Sequence, residues 1–368
     1  MPSERPSTEI MIAGRRVGPG CGTYVIAELS ANHNQNFDQA VRILRAAKDA
    51  GADAVKLQTY TADTITLRSD KECFRIAGGT LWDGRTLHDL YQEAFTPWEW
   101  QPMLKEIADE LGMHLFSSAF DDSAVDFLER MSVPAHKVAS FELVDMGLIQ
   151  KMARTGKPLI MSTGMASEEE IAEAVEAARG AASGNGPAQI ALLKCTSAYP
   201  APPEEANLLT ISELARRFGY PVGLSDHTMG IAVPVAAVAL GACIIEKHLC
   251  LRRADGGPDA AFSLEPQEFK AMVEAVRTAE KALGTVQFGA GPREANSRKF
   301  RRSLFVVEDI KKGDLFTQQN VRSIRPADGL HPRHLNEVLG KRAACDVERG
   351  TPLSWALVAN NQVLGVRS

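Results

Sequence analysis

The sequence predicts an α/β protein, a (β/α)8 barrel followed by a small, mostly β domain. Three observations carry that reading. Eight short apolar runs alternate with stretches of helical periodicity between Tyr24 and Leu283, and such alternation implies a parallel sheet. Each run turns polar at its C-terminal end, the end where barrels of this kind keep their chemistry. After Gly284 the alternation stops and short strand-and-turn patterns take over. An open doubly wound sheet would usually show fewer strands.

The elements follow in order. Tyr24–Glu28 is an apolar run ending in a carboxylate, and it leads into Ser30-Ala-Asn32-His33-Asn34. Asn36 can cap a helix from Phe37 to Ala50 that Gly51 closes, and the strand Ala54–Gln58 follows at once. Residues 59–94 break the pattern, with Gly78-Gly79 and Trp82-Asp83-Gly84, as binding loops and lids do. Thr96, Pro97 and Glu99 predict a helix start with Thr96 as N-cap and Glu99 completing a capping box. Strands then fall at His114–Ser118, Lys137–Ser140, Pro158–Ser162, Gln189–Lys194, Val222–Ser225 and Ala242–Lys247. The helices between them lie near 123–130, 147–155, 209–218 and from Gly230. Ser167 and Glu170 cap a further helix as a box, Ser183-Gly-Asn-Gly-Pro187 is a loop, and a last helix covers 266–283. The expected organisation is a barrel over 1–286, a linker over 287–300, and a small domain over 301–368 whose core is marginal on its own.

Composition narrows the function. The 368 residues are 45% hydrophobic and 24% charged, which is ordinary for a globular chain. A net charge of −5 leaves no footprint for nucleic acid or an anionic membrane. Met1–Ile10 has no apolar h-region, and the run 231–245 is broken by Pro234 and Gly241 and falls short of the ~20 residues of a membrane span. Six cysteines without close pairs point to reduced thiols and a cytoplasmic protein. An anionic substrate must therefore meet positive charge gathered inside a site.

The strand ends supply that charge. They carry Glu28; Lys56 and Gln58; Ser117 and Ser118; Lys137, Ser140 and Glu142; Ser162; Lys194, Thr196, Ser197 and Tyr199; Ser225, Asp226 and His227; and Glu246, Lys247 and His248. Lys56 and Lys137 can neutralise a phosphate or carboxylate, and Ser140, Ser162 and Ser225 can donate to its oxygens. Lys194 and Lys247 are equally well read as snorkelling side chains or as partners of Glu246. His227 and His248, at the ends of adjacent strands, suit a divalent metal completed by water and substrate oxygens: Mn2+, Co2+ or Zn2+, with Mg2+ tolerated. Asp226 is expected to orient one imidazole, and Glu28 to reach the metal through water. His33 lies just past a strand end, whereas His88, His114, His136, His331 and His334 read as packing or surface residues. Cys195 has no base beside it to mark a nucleophile. Trp82, Trp98 and Trp100 read as packing.

These residues resemble a family. Ala27-Glu28-Leu-Ser-Ala-Asn32-His33-Asn34, Val55-Lys56-Leu-Gln58-Thr59, Lys137-Val-Ala-Ser140-Phe-Glu142, Met161-Ser162-Thr163-Gly164-Met165, Cys195-Thr-Ser-Ala-Tyr199-Pro200, Gly223-Leu-Ser225-Asp-His227-Thr228 and Glu246-Lys-His248 are similar to the motifs of the sialic acid synthases. Arg325-Pro326 and Gly329 resemble their antifreeze-like domain, so the fold implied is a TIM barrel followed by that domain. The stretch from Gly79 through Trp82 and Tyr91 to Trp100, with Ser30-Ala31-Asn32 and Ser197, resembles the pseudaminic branch of the family. Ala119 departs from the family's usual proline, which affects Ser118 and Phe120 most.

The resemblance implies a transferase that condenses phosphoenolpyruvate with an open-chain amino sugar. For the pseudaminic branch the sugar is 2,4-diacetamido-2,4,6-trideoxy-L-altrose. By position, Lys56, Ser118, Lys137, Ser140, Ser162, Ser197 and Ser225 would hold phosphoenolpyruvate. Gln58, Phe120, Glu142, Tyr199 and Asp259 would contact the sugar, with Arg325 reaching it from the antifreeze-like domain of a second subunit in a domain-swapped homodimer. Catalysis would fall to Glu28, Glu142, His227 and His248, with the two histidines holding a metal, most simply Mn2+. Alternatives are an N-acetylneuraminate or legionaminate synthase using another amino sugar, a Schiff-base aldolase that uses a strand-end lysine, and a non-catalytic carbohydrate-binding protein.

Overall fold

A computed structural model describes residues 8–183 and 187–359. Residues 184–186 of the loop after Ser183, the start of the N-terminal stretch (1–7) and the end of the small domain (360–368) lie outside the described residues. The chain separates into two compact units, Met1–Gly284 and Thr285–Ser368.

The first unit is a closed barrel of eight parallel strands. They are β3 (Tyr24–Glu28), β4 (Ala54–Thr59), β5 (His114–Ala119), β6 (His136–Val138), β7 (Leu159–Ser162), β8 (Ile190–Cys195), β9 (Val222–Asp226) and β10 (Ile244–His248), with β10 closing against β3. Helices follow the strands with their apolar stripes turned inward. In Phe37–Asp49, Ala40, Ile43, Leu44 and Ala47 are buried at helical spacing, and Asn36 accepts from Gln39 N as expected of an N-cap. The Ser167/Glu170 capping box is present at the start of Glu168–Ala181.

Register builds the rim. His248 pairs with Glu28, and Glu28 pairs with Lys56. Lys137 lies beside Ser118, and Glu246 beside Ser225. Partners in adjacent strands point the same way, so these side chains collect at one level.

Two local expectations are corrected. Thr96 is not an N-cap: the helix is Trp100–Glu110 with no side-chain cap, and the Thr96 hydroxyl lies 3.2 Å from His33 Nε2 instead. That contact, with Gln35 N donating to Nδ1 at 3.0 Å, makes His33 a buried structural residue. Residues 59–94 also hold the helix Leu87–Ala94, which Thr86 caps.

A hairpin of β1 (Ile10–Ile12) and β2 (Arg15–Val17) precedes the barrel. Three-residue strands give too few alternations to show a period, so the sequence does not announce it. Ile10, Ile12 and Val17 are buried. Met11 N donates to Gln189 and Arg15 pairs with Asp53, two residues that stand just before β8 and β4, so the hairpin lies across the N-terminal end of the barrel.

The second unit pairs β11 (Ser303–Val306) antiparallel with β12 (Val321–Ile324) around a core of its own that includes Leu304, Val306, Phe316, Val321, Val338 and Leu353. Gly329 is required there, since any Cβ would run into the Leu304 carbonyl. Among the described residues no helix is long and apolar enough to cross a membrane.

Candidate active site

The site is a ring of buried polar side chains at the C-terminal ends of the barrel strands. On one side stand the two lysines. Lys56 Nζ is 2.5 Å from Glu28 Oε2 and 3.8 Å from Glu246 Oε1, and it donates to Ser118 Oγ at 3.2 Å. Lys137 Nζ donates to Ser162 Oγ at 2.6 Å and to the Val138 carbonyl at 2.9 Å. Ser225 donates to Glu246 Oε1 at 2.9 Å. Ser140 Oγ accepts from Gly164 N at 3.2 Å, and a Cβ on Gly164 would collide with both Ser140 Oγ and Ser197 Oγ. Gly164 thus lets two hydroxyls approach one backbone amide.

Burial sets the electrostatics. It works against the charge of Lys56, but Glu246 and Glu28 outweigh it and hold the ammonium above the ordinary lysine value. Burial lowers Lys137, partly offset by Glu246. Burial pushes the Glu28 carboxyl up to about 7 against the pull of Lys56, although Gln58 also donates to it at 3.0 Å. Glu142, in the short 3-10 turn Ser140–Glu142, is likewise raised to about 7 by burial against Lys137, and its Oε2 has no hydrogen-bond partner. Two carboxylates near neutrality beside two lysines are what proton transfer requires.

The histidines stand at the ends of β9 and β10. The rings of His227 and His248 lie 5.3 Å apart between centroids. Nδ1 of His227 donates to the Thr196 carbonyl at 2.9 Å, and Nδ1 of His248 sits 3.2 Å from Ser30 Oγ. Neither Nε2 has a hydrogen-bond partner among the described residues. Tyr199 packs on His227 at 4.3 Å and Phe262 on His248 at 4.9 Å. Trp82 reaches in from residues 59–94, its ring 5.7 Å from Tyr199 and its Nε1 donating to the Pro258 carbonyl at 3.0 Å. The neighbouring Asp259 accepts from Ala31 N at 3.2 Å.

Two residues take partners other than those expected. Asp226 does not orient an imidazole: it is 2.5 Å from Lys247 Nζ and accepts from Thr228 N at 3.0 Å. Lys247 therefore pairs with Asp226 and not with Glu246, while Lys194 donates to the Cys195 carbonyl at 2.7 Å. Phe120 packs on Tyr60 at 5.1 Å. Arg325 is exposed just past β12 in the second unit. Cys195 Sγ lies 3.9 Å from His227 Nδ1, whose proton can stabilise a thiolate but which cannot serve as its base; burial opposes ionisation, yet that contact brings the thiol down to about 7.

Three residues named in the sequence were given no role at the site. Glu246 was legible as a strand-end carboxylate, and the two-residue alternation of β10 puts it on the same face as His248. The same alternation sets Asp226 and Lys247 on the opposite face. Ser30 and Trp82 enter through tertiary folding that no local pattern displays.

The chain matches the NeuB family over residues 43–288 and the SAF domain over residues 301–359. It is 47% identical over 330 residues to pseudaminic acid synthase of Campylobacter jejuni, covering 90% of this chain and 95% of that one. It is 34% identical over 339 residues to N,N'-diacetyllegionaminic acid synthase of Legionella pneumophila, covering 92% and 95%. Among solved structures, N-acetylneuraminic acid synthetase from Leptospira borgpetersenii superposes with a TM-score of 0.70 at 30% identity, covering 80% of this chain and 96% of that one. Sequence and fold agree: this protein belongs to the NeuB family, with a SAF domain following its barrel.

Proposed function

We propose that this protein condenses phosphoenolpyruvate with 2,4-diacetamido-2,4,6-trideoxy-L-altrose and water to give pseudaminic acid and phosphate. The observation that carries the reading is the gathering at the strand ends of two buried lysines, each with a serine hydroxyl within 3.2 Å, and two imidazoles 5.3 Å apart. The identity of 47% to the Campylobacter synthase, against 34% to the legionaminic acid synthase, supports the choice of sugar.

Lys56 and Lys137, with Ser118, Ser140, Ser162, Ser197 and Ser225, hold the phosphate and carboxylate of phosphoenolpyruvate. Gln58, Glu142, Tyr199 and Asp259 orient the open-chain sugar, with Phe120 and Trp82 on its apolar side. The C3 electron pair of the enol attacks the aldehyde carbon, and the aldehyde oxygen takes a proton from Glu142, whose raised carboxyl is suited to the transfer. Water adds at C2 and loses its proton to Glu28. The C2–O bond to phosphate then breaks as the C2 hydroxyl passes its remaining proton to the departing phosphate, leaving the C2 ketone, and the phosphate leaves against the lysines.

The histidine pair fits a divalent metal, Mn2+ first, with Co2+, Mg2+ or Zn2+ as alternatives. Each Nδ1 is engaged, and each Nε2 is without a hydrogen-bond partner among the described residues. No group of three or more His, Cys, Asp or Glu stands together as a metal site among the described residues, so substrate and water oxygens would complete the shell. When bound, the metal supplies Lewis-acid polarisation of the aldehyde. On this reading the enzyme is cytoplasmic, and it works as a homodimer in which Arg325 of one copy reaches the sugar in the other.

The test is phosphate release from phosphoenolpyruvate with the diacetamido sugar, with N-acetylmannosamine and with no sugar, each with and without EDTA. Strong, EDTA-sensitive release with the diacetamido sugar is expected. Preference for N-acetylmannosamine would overturn the sugar, and a borohydride-trapped adduct would replace the chemistry with that of an aldolase.

A further inference from the structure

Ser30 is fully buried and sits at φ +44°, in the left-handed region. Serine is uncommon there, since a Cβ crowds the following carbonyl, whereas glycine adopts this conformation freely. Its strain coincides with two contacts. The hydroxyl lies 3.2 Å from His248 Nδ1, and it neighbours the Asp259 carboxylate, whose charge it favours against the burial that pushes that group up. The same carboxylate accepts from Ala31 N at 3.2 Å and so clamps the turn Ser30–His33.

A hydroxyl has one proton to give and lone pairs to accept with. Asp259 can only accept when ionised, so the Ser30 proton points to it. Ser30 Oγ is then left as an acceptor, and His248 Nδ1 must donate to it. That assignment puts the ring proton on Nδ1 and leaves Nε2 as a bare lone pair.

We propose that Ser30 is a positioning residue for His248: the chain Asp259–Ser30–His248 fixes the imidazole's tautomer and aim, and the strained backbone of Ser30 is retained for that contact. The inference rests on the metal reading given above. An imidazole whose far nitrogen is fixed in this way binds a cation better, and loss of such a partner typically weakens metal binding 10- to 100-fold. Relief of the strain works in the opposite direction, on the stability of the metal-free chain.

The two effects separate in one experiment on the full-length protein stripped with EDTA. Mn2+ is titrated calorimetrically into wild type, Ser30→Gly, Ser30→Ala and His248→Ala, and each is melted in EDTA. Ser30→Gly should bind Mn2+ roughly 10- to 100-fold more weakly and yet melt about 2 °C higher. Ser30→Ala should lose affinity to the same degree without melting above wild type, and it carries the affinity arm if Ser30→Gly does not fold. Wild-type Mn2+ affinity in either variant, or a Ser30→Gly protein that melts below wild type, overturns the assignment. If wild type binds no Mn2+, or His248→Ala binds it unchanged, the metal reading itself fails, and the role of Ser30 fails with it.

Discussion

The two ends of the barrel both bury charge, but they treat it differently. At the N-terminal end, Asp53 accepts from Val25 N at 2.8 Å, pairs with Arg15, and receives Arg277 Nη2 at 3.1 Å, while Arg277 also donates to the Thr23 carbonyl at 2.6 Å. Tyr24 Oη finds His114 at 2.7 Å. At the C-terminal end, Glu142 Oε2 and Glu246 Oε2 are buried with no hydrogen-bond partner among the described residues, and neither imidazole has a partner there for its Nε2. Buried polar groups are normally satisfied. His136 Nδ1, at the start of β6, is the exception at the N-terminal end, but the unpartnered carboxylate oxygens fall at the C-terminal end, so incomplete bonding of acids, more than charge itself, marks the proposed site.

That contrast can be broken by mutation. Lys137→Met should reduce phosphate release on the order of 10³-fold, by analogy with loss of a preorganised charge partner. It should leave the melting temperature unchanged or raised, because a desolvated ammonium is removed. Asp53→Ala should do the reverse. Stranding Arg15 and Arg277 should cost roughly 3–5 kcal/mol in denaturant unfolding, with kcat of the folded fraction unchanged. A Lys137→Met protein that unfolds more readily than Asp53→Ala would erase the distinction.

Smaller changes sharpen it. Burial raises Glu142 to about 7, so between the ordinary glutamate value and pH 7 the folded chain holds more protons than the unfolded one. Stability therefore falls as pH rises through that window, and the deficit is complete above it. Glu142→Gln should be more stable than wild type at pH 8 by on the order of 1–3 kcal/mol, with the gap closing near pH 5; urea titrations at the two values check this. Last, Trp82→Ala should raise KM for the sugar about 5- to 10-fold, in keeping with the ~1 kcal/mol of an aromatic contact, while KM for phosphoenolpyruvate stays as it was.

Much of this arrangement is legible in the sequence because a parallel barrel reports itself through alternation. Each strand is apolar until its last residues, so the point where the run admits Lys56, Lys137 or His248 marks the rim. What is not legible depends on contacts between segments far apart in the chain. Thr96 looks like a cap by local rules, but His33, 63 residues away, takes its hydroxyl. Asp226 looks like a partner for His227 until the pleat of β9 turns it to Lys247. The strain at Ser30 follows from φ, which no residue pattern encodes for a serine.

The ion pair between Lys56 and Glu28, at 2.5 Å, carries a last consequence. On the proposed chemistry the ammonium that receives the substrate's anion is the one that already neutralises the base. Arrival of phosphoenolpyruvate divides that cation between two claimants and makes Glu28 hungrier for a proton. On that proposal Lys56 keeps the base quiet until phosphoenolpyruvate binds, which ties the capture of water to the presence of something for water to attack.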